Sequence, residues 1–524
     1  MIYWLIISLA IFPVQDIGGS LAFQGQDIMG GAAIIFKPPQ RVKDLVGGAA
    51  SMMAVRRPAR ASRSNDVARN NPERNRPAPA ATPVVASTTI STTDRVEAFK
   101  TQGDTYYDQG QFTQALDAYQ NAVKLAPQDA EAHGAVGDTY LSLGRFAEAA
   151  TAYEQTLRLQ PNNSAAYSNL GAALYKAGRY QEAIDAFNNA VRLQPNDADA
   201  LNNLGAALYV LEQYERAVES FQKAIAARPD SADAQYNLGN AYYMTGKHRE
   251  ATVAYRRAIQ LRPDYVEART NLGSLLISLG EHRDAIAELQ ESIRLRANNP
   301  VAHNNLGYAY VKLAETLDPA TATQYLRQAV ESYREALRLL PDYVKAMNNL
   351  GAAYNKLGQY QEAADILARA TRARPEFPEA HYNLGTAFYS RGQFKEAVVE
   401  FQKSVQLRND YADAYNSLGS AFYKDQQFEP AIDAYKKTLS LKPANAETNN
   451  NLGTVYFRTK RYQEAAASFK EAIKLKPDYG EAYFNLALAY VALGNRKAAL
   501  EQYNKLKTVY PKLADEFFQR HMKK

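Results

Sequence analysis

From Val96 onward the apolar and small residues recur with two superposed periods. Over each stretch of 34 residues they fall twice into an i, i+3, i+4, i+7 spacing, and the whole stretch returns twelve times, to about Leu513. When each repeat is numbered 1 to 34, positions 4, 7, 8 and 11 form one stripe, for example Tyr167, Leu170, Gly171 and Leu174. Positions 20, 24, 27 and 28 form a second, Ala183, Phe187, Ala190 and Val191 in the same repeat. Such spacing marks one face of an α-helix, so the pattern predicts two amphipathic helices per repeat, A and B.

The residues within the stripes say how the helices meet. Position 8 is Gly in eleven repeats and Ala487 in the last, while position 20 is Ala in all twelve. Glycine inside a helix costs about 1 kcal/mol relative to alanine, so a recurrent glycine needs a reason. Close crossing of A over B supplies it. Position 24 is Tyr or Phe in ten repeats, with Leu289 and Leu367 in the others, and position 32 is Pro in ten, with Ala297 and Asn409 as exceptions. Proline there ends helix B, and the Asn or Asp that follows (Asn162, Asp230, Asp264, Asp342) suits the N-cap of the next helix A. Pro430 falls in the first turn of its helix B, where its missing N–H is harmless. Neither helix can bury its stripe alone, so neighbouring repeats must stack.

These residues resemble the tetratricopeptide repeat family, which has small residues at 8, 20 and 27, large ones at 4, 7, 11, 17 and 24, and Pro at 32. The resemblance runs over residues 96–513. It implies an all-α fold, a right-handed superhelical solenoid of about twelve helix–turn–helix repeats, with A helices lining a concave peptide-binding groove. In this family position 6 faces that groove. Here it is Asn169, Asn203, Asn237, Asn271, Asn305, Asn349, Asn383, Asn451 and Asn485, with Ser417 the gap among repeats 3 to 12. This resembles the asparagine ladder in the repeat arm of O-linked N-acetylglucosamine transferases, without their catalytic domain. An amide offers one acceptor and two donors and can grip a peptide backbone in either sense. Nine asparagines cost about 5 kcal/mol in helix propensity, which motivates a role; duplication, or bonding to the adjacent repeat, is the alternative.

Further groove positions are Asn202, Asn304, Asn348, Asn416 and Asn450 at position 5, and Tyr175, Tyr209, Tyr243, Tyr389, Tyr423 and Phe457 at position 12. A polar, tyrosine-rich groove suits an extended peptide of mixed polarity. Position 2 is acidic in nine repeats, either to receive a basic ligand or to complement the helix dipole. Repeats that clamp a chaperone C-terminus carry a Lys and Asn set that Asp104, Ala135 and Ala165 break here, so that function is not expected.

The seventh repeat carries about ten extra residues near Glu315–Gln324, expected as a loop between its helices. After Leu513, residues 514–524 read as a polar C-terminal cap. Ahead of the repeats, Ile2–Phe12 is an apolar run of signal-peptide length, and Ser20 and Ala22 provide small residues for cleavage after position 22. Residues 1–22 therefore read as a signal peptide and the chain as exported, periplasmic or secreted; the missing Lys or Arg before the run leaves an uncleaved anchor as the alternative. Residues 23–95 read as a Pro/Ala/Ser/Arg-rich linker.

Charge is unevenly spread. The chain totals +6, yet residues 37–95 hold eleven Lys/Arg against four Asp/Glu and the repeats are close to neutral. The linker is either a solvated spacer or, over residues 41–95, an attachment to an anionic surface. With no aromatics between its arginines it is not expected to bind nucleic acid. There is no cysteine, which removes disulfides, thiolate metal sites and cysteine nucleophiles. His133, His303 and His381 share position 4 in non-adjacent repeats and read as packing residues, so no metal is expected. The stretch Gly239–Lys247 imitates a phosphate loop, but its glycines are too far apart and no Ser or Thr follows the Lys. No nucleophile lies beside a base and no cofactor motif is present. The reading is a non-enzymatic scaffold or adaptor for proteins and extended peptides. The alternatives are a substrate-recruiting arm for a separate enzyme such as a glycosyltransferase, or a surface-attachment protein.

Overall fold

The computed structural model describes residues 91–511 and 514–515. Among them, 24 α-helices run as twelve A–B pairs from Thr92 to Val509, with no strand. The fold is all-α, built of tandem helix–turn–helix repeats. The signal-peptide reading of residues 1–22, nearly all of the linker and most of the C-terminal cap lie outside the described residues. The first helix A, Thr92–Asp108, begins within the stretch assigned to the linker, because the Ser91 hydroxyl accepts from Asp94 N–H and caps it. The described chain divides into two compact units, residues 91–272 and 273–515, the division falling within helix A of repeat 6 (Val266–Ser278).

In eleven repeats the position-8 glycine of helix A lies against the position-24 side chain of helix B, a ring in nine and Leu289 or Leu367 in the other two. A Cβ built on Gly171 would fall 2.6 Å from Phe187 Cε1, and one on Gly385 would fall 2.7 Å from Phe401 Cδ1. The position-8 glycine is therefore the floor on which the position-24 ring lies, and Phe187 and Phe401 are 0% exposed. Burying such a ring contributes roughly 2–3 kcal/mol. The A–B turn closes with a left-handed residue, Gly178 at φ 80°, whose place Glu212, Gln426 and Lys460 take in repeats 4, 10 and 11.

The B–A turn differs from expectation in one respect. The capping residue is at position 34, one beyond Asn162 or Asp230. Asp129 accepts from Glu131 and Ala132 N–H, Asn163 from Ala166, Asp197 from Asp199 and Ala200, and Ser231 from Ala234. Only a side chain immediately before the first helical residue reaches the free N–H groups two and three residues on. Where position 34 is aromatic, as at Tyr343, Phe377, Tyr411 and Tyr479, no side-chain cap forms.

The insertion of repeat 7 is helix rather than loop. Helix A there runs Pro300–Ala314 and helix B Pro319–Leu339, 21 residues against 14 in the other B helices. Asp318 caps it by accepting from Ala320 and Thr321 N–H, and Pro319 occupies the first turn, its fixed φ suiting a helix start. Glu315 in the short connection pairs with Lys356 of the next repeat at 3.1 Å.

Candidate functional site

The position-6 asparagines lie in the seam between consecutive A helices and are buried: Asn169, Asn203, Asn237, Asn305, Asn349, Asn383, Asn451 and Asn485 are 7% exposed or less, and Asn271 is half-buried. Seven of the nine amide nitrogens donate to the A helix of the preceding repeat, in two registers. Asn237, Asn349, Asn383 and Asn485 donate to the Oδ1 of Asn202, Asn304, Asn348 and Asn450, at 2.9–3.1 Å. Asn169, Asn271 and Asn305 reach position 9 instead, donating to Asp138, Asn240 and Ser274, and Asn271 also reaches the Tyr236 hydroxyl. The position-5 asparagines are thus acceptors for the ladder.

In these seven asparagines the amide donates to the neighbouring repeat, which fixes the side chain's orientation. Some amide ends remain without a hydrogen-bond partner although buried: Nδ2 of Asn348, Oδ1 of Asn349, Oδ1 of Asn485 and both ends of Asn451. Asn451 stands apart for a visible reason. Its counterpart one repeat back, Asn416, already accepts from the Thr448 hydroxyl at 3.0 Å. A buried polar atom without a partner costs about 1–3 kcal/mol, so these atoms favour any group that can satisfy them.

The position-12 tyrosines sit elsewhere, at the A–B turn of their own repeats. Tyr175 meets Tyr180, Tyr209 meets Tyr214, Tyr389 meets Phe394 and Tyr423 meets Phe428, ring centroids 5.2–6.0 Å apart. Tyr243 meets His248 in the same way. Burial pushes the phenols of Tyr175 and Tyr209 well above the ordinary tyrosine range, with the adjacent Tyr180 and Tyr214 adding to the shift. Burial also raises Tyr243 and Tyr423.

A pairing that the sequence reading did not identify links positions 24 and 9. Tyr119 donates to Asp104 at 2.7 Å, Tyr153 to Asp138 at 2.6 Å and Tyr255 to Asn240 at 2.7 Å, and the Tyr435 and Ser420 hydroxyls are 2.9 Å apart. Where position 24 is Phe, position 9 is Ala172, Ala206, Thr386 or Thr454. This matched change of Tyr with polar and Phe with small or Thr is visible in the sequence in eight repeats, while Tyr333 and Tyr503 depart from it with Tyr308 and Leu488 at position 9. The position-2 acids are likewise engaged within their repeats: Asp199 with Arg228, Asp233 with Arg262, Glu379 with Arg408 and Asp413 with Lys442. His133, His303 and His381 each place Nε2 about 3 Å from a carbonyl, of Pro127, Ala297 and Pro375 respectively.

The N-terminal end of the face has a different chemistry. In repeats 1 to 3 a cleft of about 640 Å³ opens beside Gly134, Ala135 and Ala165, where small residues leave space at the seam. Asp104, Asp108, Glu131 and Asp138 line it against a single ammonium, Lys100. Lys100 is 7% exposed, 3.3 Å from Asp129 and paired with Glu131. Burial alone would lower its pKa, but the hydrogen bond to Glu131 and the charges of Asp129 and Glu131 outweigh burial and raise it. Position 31 is Ala126, Gln160 and Gln194 in these repeats, and the position-2 acids Glu97 and Glu131 pair instead with Lys100.

Among the described residues, no three His, Asp or Glu side chains gather as metal ligands, and no helix is long and apolar enough to cross a membrane. Family models described as tetratricopeptide repeat match residues 100–163, 135–198, 168–232 and 202–266, then 320–387 and 481–512. One described as TPR repeat matches residues 273–313, 385–426, 419–460 and 455–494. No curated protein sequence matches the chain. Among solved structures, MamA is similar at 26% identity, covering 33% of this chain and 96% of that chain, with a TM-score of 0.31. The Cut9-Hcn1 hetero-tetramer of the APC/C is similar at 15% identity over 83% of this chain and 99% of that chain, TM-score 0.38. YrrB, described as a TPR protein with an unusual peptide-binding site, is similar at 22% identity over 37% and 95%, TM-score 0.32.

Proposed function

Since the chain belongs to the tetratricopeptide repeat family, whose models cover most of it between residues 100 and 512, we propose that it is a non-enzymatic scaffold binding extended segments of other proteins along its A helices. The observation that carries this reading is the amide-lined seam. In repeats 8, 11 and 12 it holds Asn348, Asn349, Asn451 and Asn485, oriented by the fold or buried with amide ends unpaired. An extended chain offers N–H and C=O groups in alternation, and amides meet both without reading side chains. The shifted ionisable groups fit a binding role. They are mainly tyrosines raised by burial and surface Arg–Glu pairs such as Arg179 with Glu182.

The test is selection of linear peptides from a random library on the full chain, followed by affinity measurement. Changing Asn349, Asn451 and Asn485 together to Ala is expected to weaken the selected peptides about tenfold, or about 1.4 kcal/mol. Methylating the peptide's backbone nitrogens is expected to do the same. Peptides that bind the folded triple variant undiminished would leave the asparagines as seam braces only. The exported location belongs to the same proposal, and N-terminal sequencing of the mature chain checks whether it begins at Phe23.

A further inference from the structure

One set of side chains occurs twice along the A helices, closed in one place and open in the other. At positions 2, 5, 31 and 34 of repeat 5 and position 6 of repeat 6 it is Asp233, Tyr236, Arg262, Tyr265 and Asn271. At the same positions of repeats 9 and 10 it is Glu379, Tyr382, Arg408, Tyr411 and Ser417. In the first copy Arg262 donates to both Asp233 oxygens at 3.0 and 2.8 Å, the Tyr265 hydroxyl donates to Asp233 at 2.9 Å, and the Asn271 amide donates to the Tyr236 hydroxyl at 3.1 Å. In the second copy the rings keep their places. Tyr382 and Tyr411 have centroids 5.1 Å apart, against 4.9 Å for Tyr236 and Tyr265, and the Arg408 guanidinium lies 3.9 Å over the Tyr411 ring.

The hydrogen bonds do not follow the rings. Glu379, one methylene longer than Asp233, meets Arg408 through Nη2 alone, and Arg408 Nε and the Tyr411 hydroxyl are buried without partners. Ser417 offers a hydroxyl where Asn271 offers an amide, and donates it to the Asp413 carbonyl of its own helix at 2.9 Å. The Asp413 carboxylate holds Lys442 at 2.9 Å through Oδ1, while its Oδ2 is buried and unpaired. We propose that this open copy is where the seam reads a side chain of the bound segment, and that it takes a carboxamide, glutamine or asparagine. The inference rests on the A-helix seam being the peptide-binding face, and gives that face a preference at one point.

The unpaired atoms define the ligand. Asp413 Oδ2 needs a donor, Arg408 Nε needs an acceptor, and the Tyr411 hydroxyl has a proton to give. One carboxamide meets both needs, its NH2 facing the carboxylate and its C=O the phenol or guanidinium. A charged side chain finds no counterpart, because Glu379 is already paired with Arg408 and Asp413 with Lys442, and an unpaired charge is costly to bury. An aliphatic side chain leaves the vacant atoms as they are. The phenol is kept as a donor: burial above all, then the neighbouring Tyr382 and the charges of Glu379 and Asp413, push Tyr411 well above the ordinary tyrosine range against the opposing Arg408. Tyr411 is 4% exposed, but Arg408 and Lys442 keep 34% and 35% of their side chains exposed, so the set reaches the surface through long side chains that rotate readily. In repeat 6 the chain's own Asn271 brings an amide to this pair of rings. In repeat 10, where the row of position-6 asparagines is broken by Ser417, the partner brings it.

Peptides selected from a random linear library on the full chain are expected to share a glutamine or asparagine at one fixed place. Synthetic copies of a selected peptide with glutamate or norleucine at that place should bind about tenfold more weakly. Tyr411→Phe removes only the vacant hydroxyl. It should cut the preference for glutamine over norleucine to about threefold and leave the affinity of the norleucine copy unchanged. Its melting temperature by circular dichroism should match the wild type, because no bond is lost, whereas Tyr265→Phe breaks the bond to Asp233 and should lower it. Ser417→Asn, which returns to this place the amide found in repeat 6, should also reduce the preference in a chain that melts normally. Selected peptides without a shared carboxamide overturn the proposal. So does a preference that Tyr411→Phe leaves intact, or an equal loss of all three peptide copies in that variant. In each of these cases, peptides that still weaken when Asn349, Asn451 and Asn485 are changed leave the scaffold reading standing. A library that yields no binder overturns both.

Discussion

The seam of repeats 1 to 3 and the seam of repeats 7, 8, 11 and 12 are made by the same helices in the same register, yet one is open and charged and the other closed and neutral. At positions 5 and 6 the second repeat has Gly134 and Ala135, the eighth Asn348 and Asn349. The small pair leaves the cleft, and the amide pair fills the same place with hydrogen bonds. The helix contact beneath is alike, a large side chain laid on a glycine, Tyr153 on Gly137 in the second repeat and Leu367 on Gly351 in the eighth. Positions 8, 20 and 24 hold each repeat together, position 9 is tied to position 24 where that residue is Tyr119, Tyr153, Tyr255 or Tyr435, and positions 5 and 6 differ most between the two seams.

The hardest blow to the comparison comes from below it. Tyr153→Ala and Phe401→Ala should each cost about 3–5 kcal/mol in chemical denaturation followed by circular dichroism. Tyr153→Ala should cost the more, because the buried Asp138 then loses a donor that no Phe supplies. Equal losses would show that Asp138 does not depend on the phenol.

Alkaline pH should act on both regions. Burial holds the Tyr236 phenol up to about 12, and holds Tyr153 of the second repeat, Tyr333 of the seventh, and Tyr255, Tyr411 and Tyr435 well above their ordinary value. The unfolded chain loses these protons near pH 10 while the folded chain keeps them. Stability is therefore complete below about pH 10 and declines as pH rises from there through the folded values, about 2–3 kcal/mol for Tyr236 alone. Melting temperature against pH, with phenolate absorbance, checks it. Absorbance rising at pH 10 before any unfolding would contradict the burial.

Smaller effects sharpen the seam itself. Asn485→Ala leaves Asn450 Oδ1 without its donor at 3.1 Å and should cost about 1–2 kcal/mol. Removing both partners should cost less than the two single losses summed, and a double-mutant cycle that is strictly additive would mean the bond contributes nothing. The mildest change is Ala135→Asn, which puts an amide into the cleft within reach of the acids. Stability should move by no more than about 0.5 kcal/mol in chemical denaturation, and a larger loss would show that the cleft does not accept the amide.

Much of this was legible along the chain because helical periodicity is local. A stripe at i, i+3, i+4 and i+7 predicts the helices, Pro at 32 predicts their ends, and small residues such as Gly171 and Ala183 predict a close crossing of A and B, though not that the Phe187 ring lies on the glycine. The insertion of repeat 7 shows a signal present but misread. Asp318-Pro319 is a helix start, yet counting surplus residues between aligned repeats suggested a loop. The caps were misplaced by one residue because Asn162 and Asn163, adjacent and alike in composition, differ only in which can reach the free N–H groups.

What the sequence determined by itself is the architecture: twelve helix pairs, their close crossing through small residues, and a polar stripe along the A helices. Those follow from backbone hydrogen bonds within a helix and from the need to bury apolar faces, both set by residues a few positions apart. The tertiary structure alone decided how the stripe is used. Whether an asparagine donates to a residue 35 positions back, as Asn383 does to Asn348, or 31 back, as Asn305 does to Ser274, depends on which acceptor lies nearest once the helices have packed. The same holds for the cleft, which exists because small residues of two adjacent repeats meet across a seam that neither repeat contains.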